Sequence, residues 1–558
     1  MSGRPARRGA IERLAALARE ATPQVFGVLV FIAGGVMLVS AVTPTLGHRL
    51  RALSGVVSPI LIDLSHFAAS VLGFLLLLLS AGLWRRRRGA FWTTLAALGA
   101  GAVFSLLKGL DWEEALVLAA VAALLIPCRP AFSRRSRLVE PLRPGWLLLL
   151  IVAVVAALWL GFFAYRDVAY ADDLWWKFLT DRQASGFLRA AAVLAILTLG
   201  IAAVSLLSAP GSGHGRLADP DDRARALTAL AGANRAEPEA WLGALGDKTL
   251  LFSPSGLSFL AYRVRGRRWI AMGEPAGQRS ERLDLLWAFA ELADGYGGAP
   301  VFYSVGEDLL ADLATLGLAV RKVGETAVVR PTDFSLEGKA KQDLRTAVNR
   351  AEREGATFAV LPPGSASAMA DELKAVSDAW LADHVGTEKA FSLGRFDLAY
   401  LDLTPLAVVR QTSEIGDRVV AFANLLPGAG PTRDLAVDLM RRRPDAPTGV
   451  MDYLFVRLIQ WAGEQGFDGF DLGMAPLAGL EDRRLAPVFA RVGALVFEEG
   501  GALYGFQGLR AYKSKFAPVW RPRFIAAPVA TPLALALLDV ALLTSGGWWG
   551  MLGMGKRR

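Results

Sequence analysis

The sequence contains few of the side chains that most often carry catalysis or bind metals. Among 558 residues there are one cysteine, Cys128, and four histidines. A single cysteine excludes disulfides within the chain and cysteine-based metal cages. We interpret Cys128, which borders an apolar segment, as a structural thiol and not as a nucleophile.

Several catalytic signatures are also missing. His48 and His66 lie in the apolar part of the chain and His214 in a linker, which leaves His384 alone in the polar part. There is no phosphate-binding loop of the Walker type, no GxSxG elbow and no HExxH zinc motif. Catalysis would therefore depend on carboxylates, lysine, arginine, tyrosine or hydroxyl groups of the substrate.

Long apolar runs, by contrast, are abundant in the first part of the chain. The composition is 53% hydrophobic and the formal charge is +9. A membrane span needs about 20 helical residues. We therefore predict a transmembrane domain of about six helices over residues 1–207. The apolar segments lie near residues 24–43, 66–84, 90–107, 114–127, 145–164 and 187–207.

The arginines give this domain an orientation. Basic clusters precede the first segment, separate the second from the third, and separate the fourth from the fifth. With the N-terminus inside, six crossings place all three clusters in the cytoplasm, as the positive-inside rule requires. The polar C-terminal part then also lies in the cytoplasm. No cleavable signal peptide is evident.

The polar part alternates strand-like and helix-like patterns. We predict a linker at 208–222, two similar halves at 223–365 and 366–530, and a C-terminal interfacial or docking helix at 531–558. The fold class is α/β or α+β. A seventh span is the alternative for the last apolar stretch, but it would bury Asp539 in the bilayer.

A basic helix-like run covers residues 338–355. Its cationic side chains suit phosphate groups. The alternative is a solvated helix face, since acidic residues are interspersed. The candidate phosphate-binding residues are Lys339, Lys341, Arg345 and Arg350.

Asp438 and Arg441 lie three residues apart in a strand-like segment. On a regular strand they would face opposite ways, so a shared pocket requires a bulge or turn after Asp438. The aspartate could hold an ammonium group and the arginine a phosphate or carbonyl oxygen. A structural ion pair at a strand end is the alternative.

The segment RAYKSKF places Arg510, Lys513 and Lys515 around Tyr512. Basic residues next to an aromatic ring suit a phosphate-bearing partner, such as an RNA terminus or a lipid head group. A basic patch facing the membrane without a specific ligand is the alternative.

These motifs, in this order, resemble the multiple peptide resistance factor (MprF) family of aminoacyl-phosphatidylglycerol synthases. The similarity runs from GDKTLLFSPSG (246–256) through EKAFSLG (388–394) and DLMRRRPDAPTGVMDYLF (438–455) to GLRAYKSKF (508–516). It covers nearly the whole polar part. YADDLWWKF (170–178) extends it into the membrane part.

The resemblance implies a cytoplasmic domain of two acetyltransferase-like (GNAT) halves. It also implies transfer of an aminoacyl group, most often lysyl, from aminoacyl-tRNA to the glycerol hydroxyl of phosphatidylglycerol in the bacterial cytoplasmic membrane. Because the tRNA ester is already activated, we expect no cofactor and no metal. Lysylation would change the head-group charge from about −1 to about +1 and so weaken the binding of cationic peptides.

The resemblance also assigns residues. Asp438, Arg441 and Lys513 match functional positions of the family. Our own hypothesis gives Asp438 the amino-acid ammonium, and gives Arg441 and Lys513 phosphate or oxyanion stabilisation. Lys515 joins the 338–355 run as a candidate tRNA contact. Further substrate-binding candidates are Glu388, Ser392, Asn424, Asp452, Arg510 and Tyr512.

Other readings stay open at this stage. Family members resemble a longer design with a further membrane block that flips the product, so we expect synthesis without autonomous flipping. A lipid flippase or scramblase with a regulatory domain, and acyl-CoA-dependent N-acyltransfer, are the alternatives. The transferred residue (lysine, alanine, arginine or ornithine) and homo-oligomerisation are not determined by the sequence.

Overall fold

The protein divides into two compact units, which are described separately. The first covers Met1–Gly211 and the second essentially Ser212–Arg558. The computed structural model describes residues 22–40, 59–109, 111–132, 144–164, 198, 215–383, 388–413, 416–431, 433–487, 490–491 and 506–547.

The first unit is helical where it is described. Its helices are α1 (Thr22–Ser40), α2 (Pro59–Trp84), α3 (Arg88–Gly109), α4 (Trp112–Leu125) and α5 (Pro144–Ala164). Each helix satisfies its own backbone hydrogen bonds, as a segment that crosses a membrane must.

Four helical stretches of this unit are long and apolar enough to cross a membrane: Thr22–Ser40, Phe67–Trp84, Arg88–Leu107 and Trp112–Ala131. They match the first four predicted segments, and α5 coincides with the fifth. The sixth, near 187–207, lies outside the described residues apart from one position. Helices α1 and α2 approach closely at Gly34, where a Cβ atom would lie 2.8 Å from the Gly73 carbonyl oxygen. Small residues allow such contacts between membrane helices.

The second unit is built on one mixed sheet of eleven described strands in the order β1-β2-β3-β4-β11-β5-β10-β9-β8-β7-β6. The strands are β1 (Thr249–Phe252), β2 (Phe259–Arg265), β3 (Arg268–Met272), β4 (Ala299–Val305), β5 (Ala319–Val329), β6 (Ala356–Leu361), β7 (Leu406–Ser413), β8 (Gly416–Pro427), β9 (Asp434–Arg442), β10 (Gly469–Pro476) and β11 (Val519–Ala527).

Helices cover the two faces of this sheet. They are α6 (Pro220–Ala231), α7 (Arg282–Gly295), α8 (Leu310–Thr315), α9 (Gln342–Arg353), α10 (Ala370–Asp383), α11 (Leu398–Leu401), α12 (Val450–Glu464), α13 (Phe506–Ser514) and α14 (Leu533–Thr544). Helices α9 and α12 share one large core with β5, β8 and β9. On the opposite face, the 3-10 segment Pro238–Leu245 and α14 pack against β3, β9 and β11.

The sheet interleaves the two sequence halves. Strand β11, the last along the chain, lies between β4 and β5, while β6 pairs with β7 at the far edge. The halves drawn at residue 365 are therefore not two separate sheets. Pairing between strands distant in sequence leaves no trace in local patterns, so the sequence does not predict this strand order.

Two strand pairs in the described sheet are parallel, β3 with β4 and β9 with β10. The second pair joins only Asp434–Ala436 to Gly469–Asp471. Beyond those residues β9 continues beside β8, and β10 continues beside β5. Ligands of open sheets bind where the carboxyl ends of neighbouring parallel strands diverge.

The C-terminal helix α14 belongs to the second unit. Ala536 and Val540 are buried in the core that contains Ile270 and Ile525. Asp539 is buried and forms ion pairs with Arg265, at 3.1 Å, and with Arg268. The carboxylate that argues against a seventh span is thus paired with two arginines of the β2–β3 hairpin.

Candidate active site

The site begins with a bulge in β9. Ala423 pairs with Met440 and Leu425 pairs with Val437, so two residues of β9, Asp438 and Leu439, face the single residue Asn424 of β8. The extra residue interrupts the alternation of side chains between the two faces of the sheet. As a result Val437 and Met440 both pack against the core beneath α12. The side chain of Asn424 fills the gap in the ladder: its Oδ1 accepts the Leu439 N–H at 2.8 Å.

Asp438 lies two residues beyond Ala436, where the parallel pairing of β9 ends. Its Oδ1 accepts the Gly394 N–H at 2.7 Å, and its Oδ2 accepts the Tyr400 hydroxyl at 2.9 Å. A Cβ atom on Gly394 would lie 1.9 Å from Oδ2, so only glycine allows this contact. Burial raises the pKa of the Asp438 carboxyl, and these two hydrogen bonds partly counteract the rise.

A lysine that sequence reasoning missed supports this carboxylate. Lys248 is completely buried and donates to Asp247 Oδ1 at 2.7 Å and to the Leu242 carbonyl at 3.0 Å. Burial lowers its pKa, while the charges of Asp247 and Asp438 oppose that change. Asp247 in turn accepts the Phe391 N–H at 2.8 Å, which connects the lysine to the 388–394 loop.

Arg441 lies on the same side of β9 as Asp438. It is 3% exposed, donates to Glu388 Oε2 at 2.6 Å and to the Ser377 hydroxyl, and its guanidinium lies 5.0 Å from the Trp380 ring centroid. The bulge that a shared pocket requires is therefore present. Glu388 and Gly394 belong to one loop, so this loop contacts both Arg441 and Asp438.

Lys513 reaches the other diverging strand. Its ammonium donates to the carbonyl oxygens of Gly473, at 2.8 Å, and Met474, at 3.1 Å, just beyond the parallel pairing of β10. Burial lowers the pKa of Lys513 to about 8, against the opposing charge of Asp471. Asp438 and Lys513 thus flank the divergence of β9 and β10 from its two sides.

Two of the substrate-binding candidates are structural neighbours of this centre. Asn424 holds the bulge and also lowers the pKa of Asp438. The Ser392 hydroxyl lies 2.8 Å from Thr544 Oγ1, so it fastens the 388–394 loop to α14. Arg510 is placed elsewhere, where it pairs with Glu325 at 3.0 Å and covers the Trp520 ring at 4.8 Å.

A second group lies on the α12 face. Lys515 is 3.4 Å from Asp452 and 4.9 Å from the Tyr512 ring centroid. The Lys341 ammonium donates to the Lys515 carbonyl at 2.7 Å. Burial and the charge of Asp452 raise the pKa of Tyr512. The structure therefore brings two predicted phosphate-binding lysines together beside an aromatic ring.

The remaining basic candidates follow α9. Lys339 is exposed in a 3-10 turn before the helix, Arg350 is half-buried, and Arg345 bonds the carbonyls of Leu336 and Gly338. Arg345 thus has a local role in closing the turn that starts α9.

Buried charges that the sequence did not reveal complete the surroundings. Asp471 accepts the Gly473 N–H at 2.6 Å and the Thr326 hydroxyl at 2.7 Å, and it lies 4.0 Å from Arg523. For Asp471 and Arg523 the only sequence signal is a charged residue within an apolar strand pattern, as in FDLG and RPRFIAA.

The residues described above lie in a region that matches a known protein family. The family described as "Phosphatidylglycerol lysyltransferase, C-terminal" matches residues 228–527. The chain belongs to this family. The matched range contains both diverging strands, the 388–394 loop and Lys513.

Relatives and solved structures agree with the assignment. The phosphatidylglycerol lysyltransferase of Bacillus subtilis is 33% identical over 508 residues, which is 89% of this chain and 57% of the relative. That of Staphylococcus xylosus is 34% identical over 295 residues, 53% of this chain and 34% of the relative. The chain thus spans between a third and three fifths of the length of these curated relatives.

Two solved structures share the fold of the second unit. The C-terminal domain of a putative lysylphosphatidylglycerol synthetase from Agrobacterium fabrum is 40% identical with a TM-score of 0.51, covering 59% of this chain and 99% of that domain. L-PGS from Bacillus licheniformis is 33% identical with a TM-score of 0.51, covering 62% of this chain and all of the other.

Proposed function

We propose that this protein transfers an aminoacyl group, lysyl first among the candidates, from aminoacyl-tRNA to the glycerol hydroxyl of phosphatidylglycerol. The two relatives carry the name phosphatidylglycerol lysyltransferase. The observation that carries the proposal is the placement of Asp438 and Lys513 on opposite sides of the β9–β10 divergence. The two parallel pairs, β3–β4 and β9–β10, also favour two acetyltransferase-like halves.

The reaction requires few catalytic groups. The lipid hydroxyl oxygen attacks the ester carbonyl carbon, a new ester bond forms, the bond to the ribose oxygen breaks, and the hydroxyl proton ends on that ribose oxygen. The main demands are orientation of two substrates and stabilisation of the tetrahedral oxyanion. Lys513 supplies a cation next to the divergence, and Asp438 supplies an anion for the amino-acid ammonium.

In this proposal Arg441 and Glu388 form an ion pair that opens when the lipid binds. The buried guanidinium already binds Glu388, which is 34% exposed. A phosphate oxygen could replace the Glu388 carboxylate on this planar, always charged group. The 388–394 loop would then respond to lipid binding and reposition the Gly394 N–H on Asp438.

The second basic group fits the tRNA substrate. Lys341, Lys515 and the Tyr512 ring form a small cationic and aromatic surface, as single-stranded nucleic acid prefers. The first unit would keep the site next to the lipid, in a bacterial cytoplasmic membrane with the second unit in the cytoplasm. The product would lower the negative charge of the membrane surface.

The test uses the purified full chain in phosphatidylglycerol liposomes with lysyl-tRNA. Mass spectrometry of the lipids should show lysyl-phosphatidylglycerol with the wild type and a loss of about 100-fold or more with Asp438→Asn, since such losses follow removal of a single charge-stabilising group. Asp378→Asn, on an exposed part of α10, is the matched control and should behave as wild type.

Two results would contradict the proposal. The first is a folded wild-type chain that forms no aminoacylated lipid from any charged tRNA. The second is an Asp438→Asn variant that turns over at the wild-type rate. Liposomes of phosphatidylcholine, which lacks the glycerol head group, should give no product.

A further inference from the structure

A cavity of about 200 Å³ lies where β5 ends and β11 begins. Val329 and Arg330 line it from the end of β5, Phe334 from the turn that follows, and Phe516 and Val519 from the start of β11. Phe516 is buried, whereas Val519 is 48% exposed. The cavity is smaller than the pockets of about 300–1,000 Å³ that hold drug-sized ligands, so its size suits a single planar ring.

The rim of this cavity is cationic. Lys341 belongs to the lining, and its ammonium lies 5.5 Å from the Phe334 ring centroid. The same ammonium donates to the Lys515 carbonyl at 2.7 Å, which joins the rim to the basic surface proposed above for tRNA. Arg330 is also in the lining, and its side chain is 64% exposed. Cations around an aromatic cavity suit a ligand that combines a planar base with a phosphate.

One tight turn connects the cavity to Lys513. The Phe516 N–H donates to the Lys513 carbonyl at 3.1 Å, and the Lys515 N–H donates to the Tyr512 carbonyl at 3.2 Å. Both bonds close the turn that follows α13. A substrate whose ester lies beside Lys513 therefore has this cavity close to the atoms that adjoin the ester. In an aminoacyl-tRNA those atoms belong to the unpaired 3′ end.

One carboxylate lies among these cations. Asp333 is in the lining, its side chain is 68% exposed, and it lies 3.9 Å from Arg330. Its Oδ1 accepts the Thr332 hydroxyl at 3.2 Å. A carboxylate accepts a hydrogen bond from the amino group of cytosine, but it has no donor for the carbonyl oxygen that uracil carries at the same position. An acid in an otherwise basic site therefore favours a base with an amino group.

We propose that this cavity binds the base of an unpaired cytidine at the 3′ end of the tRNA substrate, with Phe334 stacked on the base and Asp333 accepting from its amino group. The inference rests on the proposed transferase function and adds the part of the tRNA that the enzyme holds. The common 3′ end of tRNA is CCA, and its terminal adenosine carries the ester. The adenosine therefore belongs beside Lys513, and the cavity receives a cytidine before it, whose phosphate meets Lys341 and Arg330.

Equilibrium binding of an uncharged RNA hairpin tests the cavity apart from catalysis. Fluorescence anisotropy with the full chain in detergent compares a hairpin that ends in CCA with one that ends in UUA. The wild type should bind the CCA hairpin about tenfold more tightly, the effect of one hydrogen bond to a charged group. Asp333→Asn should bind both hairpins equally, because an amide donates to uracil as well as accepting from cytosine. Asp343→Asn, exposed on α9 and close to Lys341 in sequence, makes the same change of charge and should keep the preference.

The stacking contact has its own variants. Phe334→Ala should weaken binding of the CCA hairpin about tenfold, within the range for loss of one base–aromatic stack. Phe334→Tyr should keep most of the affinity, since it keeps the ring. Phe358→Ala is the matched control and should bind as the wild type does. Like Phe334, Phe358 is a half-buried ring packed on the core of α9 and α12, but it lies on β6 at the far edge of the sheet.

Three results would overturn the inference. They are equal binding of both hairpins by the wild type, wild-type affinity in a folded Phe334→Ala variant, and a CCA preference that survives in Asp333→Asn. If Phe334→Ala leaves RNA binding intact and raises the KM for phosphatidylglycerol, the cavity belongs to the lipid and the inference is wrong. If thermal unfolding shows that Phe334→Ala does not fold, the exposed Asp333→Asn variant still decides. Absence of aminoacyl transfer from every charged tRNA overturns the proposed function, and the hairpin measurements still decide the cavity.

Discussion

Lys513 is a buried cation whose hydrogen bonds go to neutral carbonyl groups, those of Gly473 and Met474. Removing an ammonium from water disfavours its charged form, and this lowers the pKa to about 8 from 10.5. A lysine with such a pKa can lose its charge near physiological pH. Phosphate or oxyanion contact, however, requires the charge.

The pH dependence of turnover should therefore report on Lys513. Aminoacyl-lipid synthesis should fall as the pH rises through about 8, because the protonated form is lost. Lys513→Arg should keep part of the activity and lose this decline, since a guanidinium stays charged. Initial rates between pH 6.5 and 9.5 give the measurement, and an unchanged decline in the arginine variant would contradict the assignment.

The contribution of Lys513 to stability should rise with pH while turnover falls, so the two effects can be told apart. Between the folded pKa of about 8 and the unfolded value of 10.5, the unfolded chain binds more protons at this residue. The contribution of Lys513 to the free energy of unfolding therefore rises with pH over that interval. A loss of activity above pH 8 thus cannot be attributed to unfolding caused by this lysine.

Among the elements, β9 shows how far the sequence leads. Its strand-like pattern and the bulge that a shared pocket for Asp438 and Arg441 requires both follow from spacing, and the structure contains a strand and a bulge there. What the spacing does not contain is the cause of the bulge. The Asn424 side chain replaces a backbone acceptor for Leu439, and that contact exists only once two strands are paired in one register.

Asn424→Ala should therefore damage both the fold and the site. The Leu439 N–H would be buried without its acceptor, at a cost of about 1–3 kcal/mol in the free energy of unfolding. Without the bulge, the side chains of Asp438 and Arg441 would point to opposite faces of the sheet, and turnover would fall. Thermal unfolding and lipid synthesis measure the two effects, with Asn349→Ala, exposed on α9, as the stability control. Wild-type stability in Asn424→Ala would refute this role.

Helix α14 shows what sequence patterns leave undetermined. Its apolar composition is compatible with lipid or protein contact, whereas the structure pairs Asp539 with Arg265 and Arg268. The same helix supports the site, because the Thr544 carbonyl accepts the Ala390 N–H at 2.9 Å and its hydroxyl contacts Ser392. Which arginines would meet Asp539 depends on the folded hairpin and not on local pattern.

Asp539→Ala should loosen the 388–394 loop from a distance. Two partly buried arginines would lose their partner, and hydrogen bonds to charged groups contribute about 1.5–3 kcal/mol each. Hydrogen exchange of the peptide 388–394 should accelerate and turnover should fall about tenfold. Asp284→Ala, exposed on α7, serves as the control. Unchanged exchange in this loop would show that α14 does not position it.

At the scale of the whole molecule, orientation is the main prediction that the arginine pattern makes. The lone thiol simplifies the measurement, since Cys128→Ser gives a cysteine-free background. In that background, Arg86→Cys, between α2 and α3, and Arg216→Cys, in the second unit, should react with a membrane-impermeant maleimide only after the cells are permeabilised. Labelling of either position in intact cells would contradict the proposed topology.

The position of β11 has a consequence for synthesis of the protein. The ribosome makes residues 519–527 after every other strand of the sheet, yet they fill the space between β4 and β5. Until then both inner edges expose unpaired backbone groups, which invite association with other chains. We therefore expect this part of the sheet to close only after residues 519–527 have been made, when β11 can pair with both edges.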